Sequence, residues 1–499
     1  MMAEYISKEQ LAAAAEKEYK ALQEKIAAGA LTPKDRMAIP QQEMPVAEPT
    51  ARARLMSEVA LGYTKEQAVV EANRCLQCKN APCMQGCPVS VPIPSFIAEV
   101  AKGEFKKAVD IIKTTNLLPA ICGRVCPQEK QCQGQCTVGK TYKNAEKAVS
   151  IGRLERFVAD YERENNLQTV PEVAKETGKK VAIIGSGPAG LTVAADVRRA
   201  GHSVTVFEAF HKAGGVMIYG IPEFRLPKAI VAKEIDMLKK MGVEFRTNFL
   251  VGRTGTLPQL LKEQGFDAAF IGTGAGLPKF MHIEGENLIG VFSANEYLTR
   301  ANLMKAYDRE HADTPLYEAK HVVVCGGGNV AMDAARMAYR LGAEKVDVIY
   351  RRTKNEMPAR REEVAHAEEE GVNFRYLENP VKILGDENGR VKGITALSYE
   401  LGEPDASGRR SPVAIKGSEH DIECDAVIVA LGNGSNPLMV KTTPGLNADA
   451  KGHITVDENS KTSLDGVWAG GDIVLGAATV ILAMGEGRKA AAGINAYLA

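Results

Sequence analysis

The chain has 499 residues with 62 Lys+Arg against 62 Asp+Glu, a formal net charge of zero and a pI near 7.1. That balance leaves no electrostatic footprint for nucleic acid or an anionic membrane surface, and 45% hydrophobic with 25% charged residues describes a globular chain rather than a disordered one. No apolar run approaches the roughly 18–20 residues of a membrane span, and the opening MMAEYISKEQ lacks the basic-then-apolar layout of a signal peptide, so a cytoplasmic protein is expected. Thiols stay reduced in that compartment. Eight of the ten cysteines nevertheless crowd between Cys75 and Cys136, which points to metal or redox chemistry.

Residues 8–29 are rich in Ala, Glu and Lys and predict one amphipathic helix. Residues 39–50 carry three prolines without a period and read as a linker or a strap across the surface. From about 55 to 165 the apolar spacing is helical, interrupted by two cysteine runs. These are Cys75-x2-Cys78-x4-Cys83-x3-Cys87-Pro88 and Cys122-x3-Cys126-Pro127-x4-Cys132-x3-Cys136. Soft thiolates at such spacing suit zinc or iron–sulfur clusters. Zinc ribbons use two CxxC pairs on hairpins, whereas this chain has one CxxC, helical flanks and two Cys-Pro steps. In iron–sulfur ferredoxins the cysteine before proline ligates the neighbouring cluster, so [4Fe-4S] clusters with crossed ligation are expected.

Beyond Pro171 and Gly178 the pattern changes to short β-branched runs: 180–184, 202–208, 266–274, 321–328, 345–352 and 425–432. Helical segments at 188–200 and 329–341 lie between them, which predicts parallel sheets covered by helices. The first glycine turn, Gly185-x-Gly187-Pro188-Ala189-Gly190, follows an apolar strand and opens a helix, so a pyrophosphate can sit on the helix N-terminus. Glu208 ends the next strand, where an acid takes ribose hydroxyls. The second turn is Gly326-x-Gly328-Asn329-Val330-Ala331, and its next strand ends in Arg351 and Arg352 instead of an acid. Guanidinium groups there favour the 2′-phosphate of NADPH. Two such units in one chain indicate a flavin and the nicotinamide that reduces it. The remaining thiols, Cys325 and Cys424, sit on separate expected strands as buried core residues, leaving no redox-active pair of the disulfide-reductase kind.

The segments CLQCKNAPCMQGCPVSVPIP, CGRVCPQEKQCQGQC, GSGPAG, YGIPEFRLPK and GGGNVAMDAAR closely resemble the small-subunit family of NADPH-dependent glutamate synthase. The same module forms the N-terminal half of dihydropyrimidine dehydrogenase and the NADPH-binding subunit of NADH-dependent ferredoxin:NADP oxidoreductase. The resemblance runs from about residue 50 to the C-terminus. It implies an α/β protein with two Rossmann-like domains, the FAD domain split by the NADPH domain, preceded by an all-α iron–sulfur domain. The expected division is 1–50 helical extension and linker, 51–175 iron–sulfur domain, 176–284 FAD domain, 285–439 NADPH domain and 440–499 second part of the FAD domain. The resemblance also implies that Gly215, Gly272, Gly274, Gly471, Asp472, Thr479 and Val480 belong to the flavin site, Asp472 holding the ribityl chain. By motif position, Cys75, Cys78, Cys83 and Cys136 would hold one cluster, and Cys87, Cys126 and Cys132 three corners of the other. Simple counting makes Cys122 the eighth ligand; the family pattern instead puts a non-cysteine there, at Glu155. Lys228 and Arg225 are positioned as positive groups beside the reduced flavin or as plain surface charges.

The expected function follows. NADPH on the second turn reduces FAD, and electrons leave through the clusters, so the cofactors carry the chemistry and no side-chain acid, base or nucleophile is required. Position 2 is Met, so the chain has no N-terminal nucleophilic cysteine for glutamine hydrolysis, and its length leaves no room for an FMN barrel of roughly 250 residues. The chain is therefore expected to be an electron-input subunit in a hetero- or homo-oligomer. The electron acceptor would be a glutamate synthase large subunit, a flavin/[2Fe-2S] subunit working with ferredoxin, or a pyrimidine-reducing FMN subunit. Asn329 and Val330 lean towards the ferredoxin:NADP branch. A non-catalytic scaffold is the remaining alternative, and the intact glycines, acids and cysteines argue against it.

Overall fold

The computed structural model describes residues 5–29, 31–406 and 408–499; Met2 lies outside them. The expected N-terminal helix forms at Lys8–Ala28, started by a reciprocal Ser7–Gln10 capping box. Only Ala15 and Leu22, seven residues apart, are buried along it, a narrow stripe laid on the Lys65–Asn73 helix. Residues 39–48 form a strap. The Gln42 N–H donates to Glu71 (2.8 Å), the Tyr63 hydroxyl donates to the Gln42 carbonyl (2.6 Å), and Val46 bridges Ala60.

The helices Lys65–Asn73, Ile93–Ala101, Phe105–Lys113, Pro119–Val125 and Ile151–Glu164 pack into one α-helical body around Phe96, Ile97, Ile112, Ile121, Leu154 and Val158. Their apolar residues recur at helical spacing, and the cysteine loops fill the gaps between helix ends. This core is continuous with that of the first nucleotide-binding domain, through Leu191, Ile481 and Met484.

Two five-stranded parallel sheets follow. The first runs Val467–Ala469, Ala268–Ile271, Lys180–Ile184, Ser203–Phe207, Glu244–Arg246. Its edge strand Val467–Ala469 comes from far down the chain, so the second sheet is inserted into the first. That second sheet runs Val291–Ser293, Ala426–Val429, His321–Cys325, Lys345–Tyr350, Asn373–Tyr376. The chain leaves the first domain at Leu277–Pro278 and returns at Asn433–Gly434, and these two short strands pair with each other. Both sheets bury β-branched runs on both faces, as strands covered by helices require.

One element has no counterpart in the sequence reading: an antiparallel sheet of Glu378–Gly385, Val391–Pro404, Arg410–Ala414 and His420–Glu423. Its strands are half-buried and interspersed with Lys, Glu and Arg, which blurs the alternation. A turn signal was present in Asp386–Glu387–Asn388–Gly389, where the Asp386 carboxylate accepts from the Asn388 and Arg390 N–H groups.

Candidate functional site

The cysteine loops enclose two cavities. One is lined by Cys75, Cys78, Cys83 and Cys136 with Pro82, Ile97 and Val149. The other is lined by Cys87, Cys126, Cys132, Glu155, Cys122, Asn116 and Gln128. Cys136 of the second run thus joins the first cavity and Cys87 of the first run joins the second. Ile93 and Ile151 line both and form the wall between them. Ile481, from the helix Val480–Leu498 of the first nucleotide-binding domain, closes the second cavity. Among the described residues, no group of three or more His, Cys, Asp or Glu is close enough to hold a single metal ion. These thiols ring a volume; they do not converge on a point.

Burial pushes Cys75 up to about 11 and Cys83 up to about 12, and raises Cys87, with neighbouring thiols adding to it. Cys132 is driven well up by burial, and Cys126 by its hydrogen bond to Cys122 and then by burial. Glu155 is 8% exposed, and burial lifts its carboxyl to about 8 against the Asn116 amide, which donates to it (2.6 Å). A dry set of thiols and one carboxyl is costly to ionise without a cation in the middle. A cationic iron–sulfur core meets that demand, and the donor set fits it. Cys122, fully buried, turns its thiol towards Asn116 Oδ1 and Met484 Sδ, each at 3.7 Å.

The first glycine turn lies between Lys180–Ile184 and the helix Pro188–Arg199. Gly185 has φ +98°, and a Cβ there would lie 2.4 Å from the Gly272 carbonyl oxygen; one at Gly190 would lie 2.0 Å from that of Gly185. Gly187 and Gly274 face open space. This is the tight turn with one open face that a pyrophosphate needs. Glu208, 6% exposed, accepts from the Ser186 N–H (3.1 Å) and hydroxyl and from the Phe210 N–H (2.9 Å), so it also pins the turn to the next strand. Gly215 packs back on the turn, where a Cβ would come within 2.7 Å of Gly187 Cα. Gly471 and Asp472 follow the edge strand Val467–Ala469, and Thr479 caps Val480–Leu498 by accepting from the Leu482 N–H. Burial raises the Asp472 carboxyl to about 6. The helix Val480–Leu498 packs so closely on Pro188–Arg199 that a Cβ at Gly487 would lie 2.7 Å from the Ala189 oxygen.

In the second turn Gly326 has φ +145°, and a Cβ there would meet the Ala430 oxygen at 2.5 Å. Gly328 caps Asn329–Arg340, Ala331 is buried and Val330 is 39% exposed. Arg351 is exposed beyond the end of the Lys345–Tyr350 strand. Arg352 departs from expectation. It is 7% exposed, pairs with Asp405 (2.7 Å) and donates to the Arg410 carbonyl (2.7 Å), because the antiparallel sheet missed in the sequence folds over it. Arg225 departs too. Its guanidinium is buried against Asp333 (2.6 Å) and Glu363 (3.2 Å) of the second domain, so it is an interdomain ion pair and not a surface or flavin-facing charge. Lys228 donates to the Ile221 and Leu226 carbonyls, and burial lowers it to about 8. Cys325 and Cys424 are buried at 2% and 5% exposure, as core thiols are. Sequence reasoning missed Asn116, Gln128 and Arg360; isolated polar residues between motifs carry no local signal.

Residues 52–167 match the family model described as dihydropyrimidine dehydrogenase domain II, 4Fe-4S cluster, and residues 179–487 match pyridine nucleotide-disulphide oxidoreductase. The glutamate synthase [NADPH] small chain of Azospirillum brasilense is 38% identical over 466 residues, covering 91% of this chain and 94% of that one. The small chain of Escherichia coli is 39% identical over 447 residues, covering 88% and 93%. FprA of Mycobacterium tuberculosis in complex with NADPH shares the fold at 19% identity, with a TM-score of 0.53 over 64% of this chain and 84% of that one.

Proposed function

The chain belongs to the family of glutamate synthase [NADPH] small chains and is an NADPH-dependent flavin and iron–sulfur oxidoreductase, and on that premise we propose that it is the electron-input subunit of a cytoplasmic glutamate synthase. The observation that carries this reading is the run of sites: a flavin-type glycine turn, a helix packed on it, and two cysteine-lined cavities sharing a wall, the nearer closed by Ile481 of that helix. A flavin bound there would supply hydride acceptance from the nicotinamide, and clusters in the two cavities would supply one-electron acceptance.

The residues divide that work as follows. Gly185, Gly187, Pro188, Ala189 and Gly190 would receive the flavin pyrophosphate, Glu208 its ribose, and Asp472 with Thr479 and Val480 the ribityl chain and ring. Gly326, Gly328, Asn329, Val330 and Ala331 would seat NADPH, with Arg351 on its 2′-phosphate. Cys75, Cys78, Cys83 and Cys136 would hold one cluster, and Cys87, Cys126, Cys132 and Glu155 the other. The division at residues 50, 175, 284 and 439 belongs to the same proposal.

A large glutamate synthase chain would dock on the helical body and receive the electrons there. The test is co-purification with such a chain, followed by an assay of glutamate formation from glutamine, 2-oxoglutarate and NADPH. The complex is expected to form glutamate; this chain alone is expected only to reduce artificial one-electron acceptors. Glutamate formation by the isolated chain would overturn the reading. The residue pair Asn329–Val330 in the second turn supports a second reading, the NADPH-binding subunit of a ferredoxin:NADP oxidoreductase. Under it, the chain would pair with a flavin/[2Fe-2S] subunit and exchange electrons between NADPH, NAD and ferredoxin.

A further inference from the structure

After the Lys345–Tyr350 strand, the chain folds back beneath the second glycine turn. The Ala359 N–H donates to the Gly327 carbonyl (3.2 Å) and the Arg360 N–H donates to Asn329 Oδ1 (2.9 Å). The side chain of Arg360 then points away from the nucleotide turn into the helical body, where it is 6% exposed. Its Nη1 donates to the Arg124 carbonyl (2.7 Å), and its Nη2 donates to Gln128 Oε1 (3.0 Å) and to Glu362 (2.8 Å).

Gln128 is itself buried and lines the cavity of Cys87, Cys126, Cys132 and Glu155. Its amide nitrogen lies 3.4 Å from the Cys122 and Gly123 carbonyls and packs on Gly152, where a Cβ would come within 2.2 Å of it and displace it. Two further contacts hold the same strip of the second domain to the helical body: Lys130 Nζ to the Pro358 carbonyl (2.8 Å) and Arg361 to Glu146 (2.8 Å). The path from nucleotide turn to cluster cavity is therefore three side chains long: Asn329, Arg360, Gln128.

We propose that Arg360 is a positioning residue that couples nucleotide occupancy of the second glycine turn to the reduction potential of the cluster held by Cys87, Cys126, Cys132 and Glu155. The inference rests on the cluster assignment above and deepens it. A guanidinium keeps its charge throughout the working pH range, and in a dry site a fixed cation favours the more reduced, more negative state of its neighbour. Backbone and guanidinium belong to one residue. A shift of the Asn329 turn as a pyrophosphate settles on the helix N-terminus therefore moves the charge relative to the cavity, and the phosphates add negative charge at the far end of the same path.

The test is a redox titration followed by EPR on the intact, cluster-loaded protein, with and without saturating NADP⁺, a nucleotide that delivers no electrons. In the unmutated protein NADP⁺ is expected to shift the potential of one cluster and leave the other in place. Arg360→Met is expected to lower that one potential and abolish its response to NADP⁺. Arg360→Lys keeps a cation but not the fork to Arg124 and Gln128. It should hold the nucleotide-free potential near that of the unmutated protein while losing the NADP⁺ response, and it decides the matter should Arg360→Met fail to retain its clusters. Identical titrations with and without NADP⁺, or an unmoved potential in a fully loaded Arg360→Met protein, would overturn the proposal. Iron and sulfide analysis of the unmutated protein separates this failure from that of the cluster assignment, since protein without sulfide would sink the assignment itself.

Discussion

At the scale of single residues, side-chain contacts favour one of two readings that spacing left open. Glu155 and Cys122 both line the second cavity, but the Cys122 thiol leans on Asn116 and Met484 while the Glu155 carboxyl is buried with only an amide donor. We expect anaerobically purified protein to contain about eight iron and about eight acid-labile sulfide per flavin, the content of two cubanes. Cys122→Ser should keep both clusters, and Cys126→Ser should lose one. Loss of a cluster in Cys122→Ser with retention in Glu155→Ala would reverse the assignment. The two arginines after Tyr350 separate in the same way. Arg351, exposed, should carry the nucleotide preference, so Arg351→Ala should narrow the NADPH-over-NADH ratio of flavin reduction by roughly ten- to a hundredfold, the loss of a charged hydrogen-bonded pair at about 1.5–3 kcal/mol. Arg352→Ala, which removes the ion pair to Asp405 and the hydrogen bond to the Arg410 carbonyl, should lower the unfolding temperature and leave that ratio nearly unchanged. Stopped-flow rates with both nucleotides distinguish the two.

At the scale of elements, the flavin turn is held by backbone-to-backbone contact. Gly190 sits where a Cβ would meet the Gly185 oxygen at 2.0 Å, and that oxygen is fixed because Gly185 itself abuts Gly272. Gly190→Ala must therefore separate the helix Pro188–Arg199 from its own strand, at a cost of about 1–3 kcal/mol or more. The expected outcome is protein that purifies without flavin absorbance yet keeps its iron, since the cysteines of both cavities lie in the helical body. Full flavin content in that variant would contradict the close-approach argument. Gly187→Ala adds its methyl in open space, so any flavin loss there would come from the ligand side of the turn.

At the scale of the whole molecule, a buried ionic network joins Arg52, the loop that carries Phe224 and Arg225, and the second domain. Arg336 is fully buried and pairs with Glu363 and with Glu370 (2.7 Å); Glu370 also takes Arg340 (2.7 Å) and Arg52 (3.1 Å). Phe224 lies under the Arg336 and Arg340 guanidiniums at 4.7 and 3.8 Å, and Arg225 of the same loop reaches Asp333 and Glu363. These arginines hold the Glu370 carboxyl far below the usual carboxylate range. Removing Arg336 breaks two buried ion pairs at once, although Glu370 keeps Arg340 and Arg52 and Glu363 keeps Arg225, so Arg336→Met should destabilise the protein by up to about 3–5 kcal/mol, read from the denaturant midpoint. A loss below about 1 kcal/mol, the range of surface pairs, would show that the network is not dry.

The glycine turns, the parallel strands and the class of metal centre could all be read from the chain because each depends on a few contiguous residues. A Cβ at Gly185 or Gly326 clashes whatever the rest of the molecule does. Cysteine spacing likewise bounded the ligand chemistry. Partner choice for long charged side chains behaved differently. Arg225, Arg352 and Arg360 find these partners about 50 to 230 residues away in sequence, on surfaces that exist only once the inserted domain has folded and, for Arg225 and Arg360, docked. Their reach is long and their rotamers many, so burial and domain packing select the contact and local pattern does not. The same packing places Ile481 of the C-terminal helix on the wall of a cavity whose cysteines lie in the first third of the chain.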